Sequence, residues 1–279
     1  MSEQILTQTE MVSFAEYLRA EEKSSATQEK YLRDVARFFQ YVHTRPVEKE
    51  LVVNWKRSLI ETGYAVSSIN SMLAAVNCFL EFIGRNDCKV KQIKRQRQTY
   101  CAQEKELSKA EYLRLLNASQ ADERLNLILK TICSTGIRVS ELQYFTIEAV
   151  RRGEIRVDCK GKMRTILIPE KLRTLLLRYS KKRRILAGAI FVTRNGKPLD
   201  RSNIWSAMKR LCRTAGVADE KVFPHNLRKL FARTFYGIEK DIAKLADILG
   251  HSSINTTRIY IMTTGIEHRR KLDRLGLVV

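Results

Sequence analysis

The chain has 279 residues, enough for one large domain or two ordinary ones, and 44% of them are apolar with only four prolines and twelve glycines, which excludes a disordered or low-complexity protein and favours a mostly helical fold. Lys and Arg number 51 against 30 Asp and Glu, a formal net charge of +21, so a polyanionic partner is expected, with nucleic acid first among the candidates. No apolar run reaches membrane-span length, no basic-then-apolar leader opens the chain, and six cysteines and four histidines lie dispersed without a CxxC pair, which leaves a membrane partner, a disulfide framework and a metal site without support and makes a cytoplasmic protein with reduced thiols the expectation.

Residues 10–24 are expected to form an amphipathic helix, since Met11, Phe14, Ala15 and Leu18 recur at helical spacing. A second helix starts at Ser25 or Thr27, carries Tyr31, Leu32, Val35, Phe38, Phe39 and Val42 on one face, and ends before Pro46. A third covers about 48–61, with Leu51, Val52, Trp55 and Leu59 apolar and Gly63 closing it. A fourth begins near Ser67 and runs through Ile69, Leu73, Val76, Phe79 and Phe82 to Gly84. Four helices with short connections predict a small bundle over residues 1–88, its stripes being ordinary core. Residues 89–106 change character, with Lys89, Lys91, Lys94, Arg95 and Arg97 among few apolar residues. They read as a basic interdomain linker able to lie along a phosphate backbone, or as a basic extension of the fourth helix.

A second domain is expected over 107–279. Ser108 with Glu111 three residues on is a capping box that opens a helix carrying Tyr112, Leu113, Leu115 and Leu116. Leu125, Ile128, Leu129 and Ile132 mark a buried helix, which stops at Gly136 and restarts with Arg138 in the first turn. Short β-like runs at 154–157 and 165–169 bracket 158–164, a hairpin with a basic tip holding Lys160, Gly161, Lys162 and Arg164. The tip is not a P-loop, because Met163 stands where Ser or Thr is required. A helix over 171–184 is followed by a further β-like run, Ile190-Phe191-Val192, and by a helix over 202–216. Phe223-Pro224-His225-Asn226-Leu227-Arg228 opens a helix expected to run through Tyr236 to Gly237. The helix over 241–249 ends at Gly250-His251, and Tyr260 follows nine residues later. A basic helix over 267–275 leads to an apolar end, 275–279.

The charge is lopsided. Residues 1–100 hold 15 Lys and Arg against 12 Asp and Glu, a net +3, whereas 101–279 hold 36 against 18, a net +18, so phosphate contact belongs mainly to the second part. There, two arginines, a lysine, two histidines and a tyrosine, without metal ligands, suit nucleophilic attack on a phosphodiester. Guanidiniums bind the nonbridging oxygens bidentately and stay protonated, taking the part a metal ion plays elsewhere. A tyrosine hydroxyl, with an ordinary pKa of about 10, needs a positive field and a proton acceptor, and a departing 5′ oxygen needs a proton that a hairpin lysine can bring. A phosphotyrosine conserves the bond energy, so rejoining needs no ATP.

Thr135-Gly136-Ile137-Arg138-Val139-Ser140-Glu141-Leu142, Pro224-His225-Asn226-Leu227-Arg228 and Leu249-Gly250-His251-Ser252-Ser253 followed by Thr256-Thr257 and Tyr260 resemble the successive signature boxes of the tyrosine recombinase (phage integrase) family, in the family's order and spacing. Val157-Asp158-Cys159-Lys160-Gly161-Lys162 resembles its lysine-bearing hairpin. The resemblance implies a mainly α protein with a small antiparallel β-sheet in the C-terminal domain, built as a two-domain C-shaped DNA clamp of a helical core-binding domain and a catalytic domain. It implies that Arg138 and Arg228 bind the scissile phosphate, Lys160 is the general acid, His225 assists proton transfer from the tyrosine, His251 hydrogen-bonds the phosphate, and Tyr260 is the nucleophile, with Glu141 supporting the pocket. Lys162 is the rival to Lys160, and Lys162, Arg164 and the basic residues of 89–97 are expected DNA contacts.

The implied partner is double-stranded DNA with short inverted-repeat core sites, bound by a homotetramer that is monomeric when free, with no metal or other cofactor; a related recombinase or accessory protein is a further partner the family allows. The apolar 275–279 suits docking on a neighbouring protomer, and no arm-binding domain of the larger phage integrases precedes the bundle, so a compact Xer-like or simple integrase is expected. Departures are Lys229-Leu230 where the family often has His-Thr or His-Ser, and Cys159 where glycine is common. A type IB topoisomerase and a catalytically inactive DNA-binding protein are the competing readings.

Overall fold

A computed structural model describes residues 8–94, 105–159, 162–193, 195–262 and 265–275. The chain divides into two compact units, residues 1–97 and 98–279, each with its own apolar core. Among the described residues no helix is long and apolar enough to cross a membrane.

The first unit is a bundle of α1 (Gln8–Ala20), α2 (Ser25–Val42), α3 (Lys49–Glu61) and α4 (Val66–Phe82). Its stripes are those of the sequence pattern: Phe14 and Leu18 from α1, Val35, Phe38 and Val42 from α2, Val52 and Trp55 from α3, and Leu73, Val76 and Phe79 from α4 are all buried. Aromatic edges lock the helices together, with Phe14 meeting Phe79 at 5.2 Å and 84° and Phe38 meeting Trp55 at 5.0 Å and 62°. α1 ends four residues earlier than its pattern suggests, because Glu22 takes a left-handed backbone with φ of 52°.

The basic segment after α4 is neither a helical extension nor free chain at its start. α4 ends at Phe82, a short 3₁₀ turn covers Asn86–Cys88, and the chain then lies extended between α3 and α4. Asn77 pairs with both the N–H and the C=O of Val90 at 3.0 and 2.8 Å, and Asn70 does the same for Ile93 at 2.8 and 3.0 Å. Seven helical residues rise about 10.5 Å and three extended residues span about 10 Å, so the two amides match the segment's repeat as a neighbouring strand would. On the other side Lys49 and Lys56, also seven apart, donate to the carbonyls of Lys89 and Lys91.

The second unit contains α5 (Lys109–Ala118), α6 (Glu123–Thr135), α7 (Ile147–Arg152), the strands β1 (Glu154–Cys159) and β2 (Lys162–Leu167), then α8 (Glu170–Lys182), α9 (Arg201–Ala215), α10 (Pro224–Glu239), α11 (Ile242–Leu249), α12 (Ile254–Tyr260) and α13 (Gly265–Asp273). The capping box at Ser108 and Glu111 is formed, and Asp122 caps α6. α6 is buried along most of its length and packs against α10, with α5, α8 and α9 around it. The only sheet among the described residues is the antiparallel pair β1–β2, with Val157 opposite Arg164 and Cys159 opposite Lys162. Ile190-Phe191-Val192 does not extend it: Ile190 and Phe191 are buried as core, and Val192 makes a single bridge to Pro198. α10 runs through Gly237 to Glu239, where Lys240 at φ 60° ends it.

Candidate active site

The site is assembled where two chain reversals meet the start of α10. α6 is stopped by Gly136 at φ 64°, and a Cβ there would lie 2.3 Å from the Phe231 ring of α10, so only glycine allows this approach. The chain restarts not as an α-helix but as a 3₁₀ turn, Val139–Tyr144, capped by Arg138. Glu141 folds back over it. One carboxylate oxygen accepts from Arg138 Nη1 at 3.1 Å and the other from the Arg138 backbone N–H at 2.7 Å.

α11 supplies the second reversal. It ends at Gly250, φ 62°, with its last carbonyls lacking intrahelical donors, and the negative end of its dipole collects cations there. Three consecutive carbonyls are each taken by a different arginine: Ile248 by Arg164, Leu249 by Arg228 at 2.6 Å, and Gly250 by Arg138 at 3.0 Å. Arg164 also donates to Glu141. Three guanidiniums thus cluster at this helix end, two of them on the Glu141 carboxylate and the third on carbonyls, a surplus of two positive charges.

α10 supplies His225 and Arg228, three apart on one face. Arg228 is 2% exposed and bonded to the carbonyls of Gly136 and Leu249 and to His251 Nε2 at 3.2 Å. Its Nε has no acceptor among the described residues. Burial, and Arg138 beside it, draw its pKa down to about 10, which leaves it cationic at neutral pH.

Because a guanidinium can only donate, His251 Nε2 accepts from Arg228, which puts the ring proton on Nδ1, facing Thr257 Oγ1 at 2.9 Å. Burial and the Arg228, Arg138 and Arg164 charges hold His251 down at about 4, so the ring is neutral. His225 is lowered as well, first by burial and then by Lys229 and Arg228.

Tyr260 is the last residue of α12 and only 8% exposed. Its hydroxyl lies 3.4 Å from His225 Nδ1, and its ring meets His225 at 4.9 Å and His251 at 4.7 Å, both edge-on. The Arg228 guanidinium carbon lies 5.9 Å from the ring centroid. Five of the residues singled out from sequence, Arg138, His225, Arg228, His251 and Tyr260, therefore converge, with Glu141 beneath them.

Other expectations end differently. Lys160 lies outside the described residues, as do Arg95, Arg97 and 276–279, and of Lys162 only the backbone in β2 is described. Lys91 and Lys94 are exposed, whereas Lys89 is paired with Glu81 at 2.9 Å. Arg164, expected as a DNA contact, turns inward and pairs with Glu141. Its side chain is 8% exposed, on the strand face that also buries Ile166, with Met163 and Leu167 facing solvent. Sequence reasoning missed Thr257, fully buried as the His251 anchor, and Glu106, which pairs with Lys229 and Arg233 at 2.9 and 2.8 Å. Only Thr257 stood inside a quoted motif; Glu106 had no local signal.

Residues 105–265 match the model of the Phage integrase family, and residues 11–86 match its N-terminal SAM-like domain. The chain belongs to the phage integrase family. It is a tyrosine recombinase, an enzyme of site-specific DNA breakage and rejoining. It is 30% identical to tyrosine recombinase XerA of Pyrococcus furiosus across 100% of this chain and 98% of that protein, and 28% identical to tyrosine recombinase XerD of Halalkalibacterium halodurans, covering 86% and 88%. Among solved structures it resembles XerA recombinase (TM-score 0.55, 25% identity, 98% of this chain and 100% of that one). It shares the fold of a lambda integrase fragment solved as a dimer on a COC′ core site (TM-score 0.75, 18% identity, 94% and 97%). Within the family pattern, the departure at Lys229 now has a physical account: its ammonium is held by Glu106 at the entry to the catalytic unit.

Proposed function

We propose that this recombinase cuts duplex DNA through Tyr260, forming a 3′-phosphotyrosine, and exchanges strands through a Holliday junction without metal or ATP. The observation that carries the reading is Tyr260, its hydroxyl 3.4 Å from His225 Nδ1 and its ring against Arg228 and His251. Tyr260 Oη attacks the phosphorus while its proton passes to His225. The bond from phosphorus to the 5′ oxygen breaks, and Lys160 supplies the proton that leaves with that oxygen. Arg138 and Arg228 bind the nonbridging oxygens, a role supported by the surplus positive charge and by an Arg228 Nε that has no acceptor among the described residues. His251 gives up its Arg228 contact and takes the Nε2–H tautomer, accepting at Nδ1 from the Thr257 hydroxyl, so that Nε2 donates to the phosphate. Reversal of the same steps, by a 5′ hydroxyl from the partner strand, rejoins the DNA.

The substrate is duplex DNA with short inverted-repeat core sites, held by a homotetramer assembled from free monomers in the cytoplasm, with the bundle of residues 1–88 on the DNA, 89–106 as the connection, and residues 107–279 carrying the chemistry. Structures of relatives bear on this: one is a lambda integrase tetramer bound to a Holliday junction, and another is XerH bound to its difH substrate before cleavage. The test pairs two labelled candidate sites from the host in EDTA-containing buffer. Junctions and recombinant strands are expected. Relaxation of any supercoiled plasmid without recombinant product would instead establish topoisomerase behaviour.

A further inference from the structure

We infer that Arg164 is a positioning residue for the leaving-group proton: it clamps the hairpin to the phosphate pocket so that the acid at the hairpin's tip meets the 5′ oxygen. The inference rests on the reading of the tip lysine given above and adds the device that aims it. Arg164 stands in β2 opposite Val157, two residues beyond Lys162, where the β1–β2 pairing closes. From there its guanidinium leaves the hairpin in two directions. One donor reaches the Ile248 carbonyl at the end of α11, next to the carbonyls that hold Arg228 and Arg138; another reaches Glu141, the carboxylate that holds Arg138 by side chain and backbone.

The contact is built in on both sides. Gly250 has no Cβ, and one added there would stand 2.6 Å from Arg164 Cδ, so the side chain crosses directly over the turn that leads to His251. Strand alternation fixes its direction, since Ile166 on the same face is buried while Met163 and Leu167 are exposed. A two-stranded ribbon has no neighbouring strand to set its tilt, so a tie from Arg164, close to the turn, sets how the ribbon sits on the rest of the fold. A lysine could reach one of the two acceptors, but only the planar fork of an arginine serves both in fixed geometry.

Positioning of the acid differs from general support of the fold in one measurable way. A 5′ bridging sulfur at the scissile phosphate leaves as a thiolate and needs no proton, so a variant impaired only in delivering that proton recovers on the sulfur substrate. Single-turnover cleavage of the oxygen and sulfur substrates is compared in one preparation of each variant, so that the ratio is independent of the folded fraction. Arg164→Gln is expected to cleave the oxygen substrate about 10- to 100-fold more slowly than the parent and the sulfur substrate within a few-fold of it, with Arg164→Lys between them. Equal loss on both substrates in both variants would overturn the inference and leave Arg164 as support for Arg138 alone. Lys160→Ala separates the two readings. If it is not rescued by sulfur while Arg164→Gln is, Arg164 still aims the acid and the acid is another residue of the tip.

Discussion

The two units bury different chemistry. In the helical unit the core is apolar and aromatic, and the one buried charge among its described residues is Asp34, salt-bridged to the part-exposed Lys30 one turn away. In the catalytic unit Glu106, Glu141 and Arg228 are buried outright, and Arg164 nearly so. Taking an ion out of water costs several kcal/mol unless partners compensate, and here three clustered arginines stand against one carboxylate, which pairs with two of them. The helical unit is therefore explained by packing alone, whereas the catalytic unit carries a positive surplus that packing does not require and a phosphate would neutralise.

That contrast can be broken at several points. Arg228→Ala removes the most deeply buried cation, and single-turnover cleavage should fall by about 10²- to 10³-fold, as for loss of one oxyanion donor. A fall of only a few-fold would mean that the surplus charge is not aimed at the phosphate. Leu73→Ala opens a cavity in the helical core, where Leu73 is fully buried, and should cost about 2–5 kcal/mol in urea unfolding while leaving the denaturation of the catalytic unit in place. A shared loss would contradict two separate cores.

A smaller effect is expected from pH. The folded chain holds His251 near 4 against an ordinary value of 6.5, so between those values the unfolded chain binds a proton that the folded one refuses. Stability is then full above about pH 6.5 and falls as pH drops toward about 4. The melting temperature of His251→Gln should fall less over that window than the parent's, and identical slopes would show that His251 is not held neutral. The smallest effect belongs to Asp34→Asn, about 1 kcal/mol or less by the same denaturation, because its partner Lys30 is part-exposed and screened. A loss of several kcal/mol would give the helical unit a charged core after all.

Much of this was legible from the chain. Apolar spacing located the four bundle helices and α6, and the order of Gly136-Ile137-Arg138, His225-Asn226-Leu227-Arg228 and Gly250-His251 with Tyr260 located five converging side chains. What stayed hidden was tertiary. α10 passes through Gly237 because a glycine there costs about 1 kcal/mol, which helix packing outweighs, so it is no stop signal by itself. The segment after α4 reads as linker because its apolar residues are few, yet Asn70 and Asn77, polar positions in an apolar helix, hold it by its backbone. Arg164 was grouped with the tip by its charge, although alternation with Ile166 already pointed it inward. Glu106 precedes its partners by more than a hundred residues, and no local pattern links them.

The central claim is that Tyr260 is the nucleophile in a pocket that needs no metal. A nicked core-site duplex, from which the short fragment beyond the cut is lost, traps any covalent complex. Incubated with the protein in EDTA and digested, it should yield a single nucleotide-bearing peptide containing Tyr260, joined through a 3′ phosphate, and Tyr260→Phe should yield none. An adduct that survives in Tyr260→Phe, or one that forms only when Mg²⁺ is restored, would contradict the account.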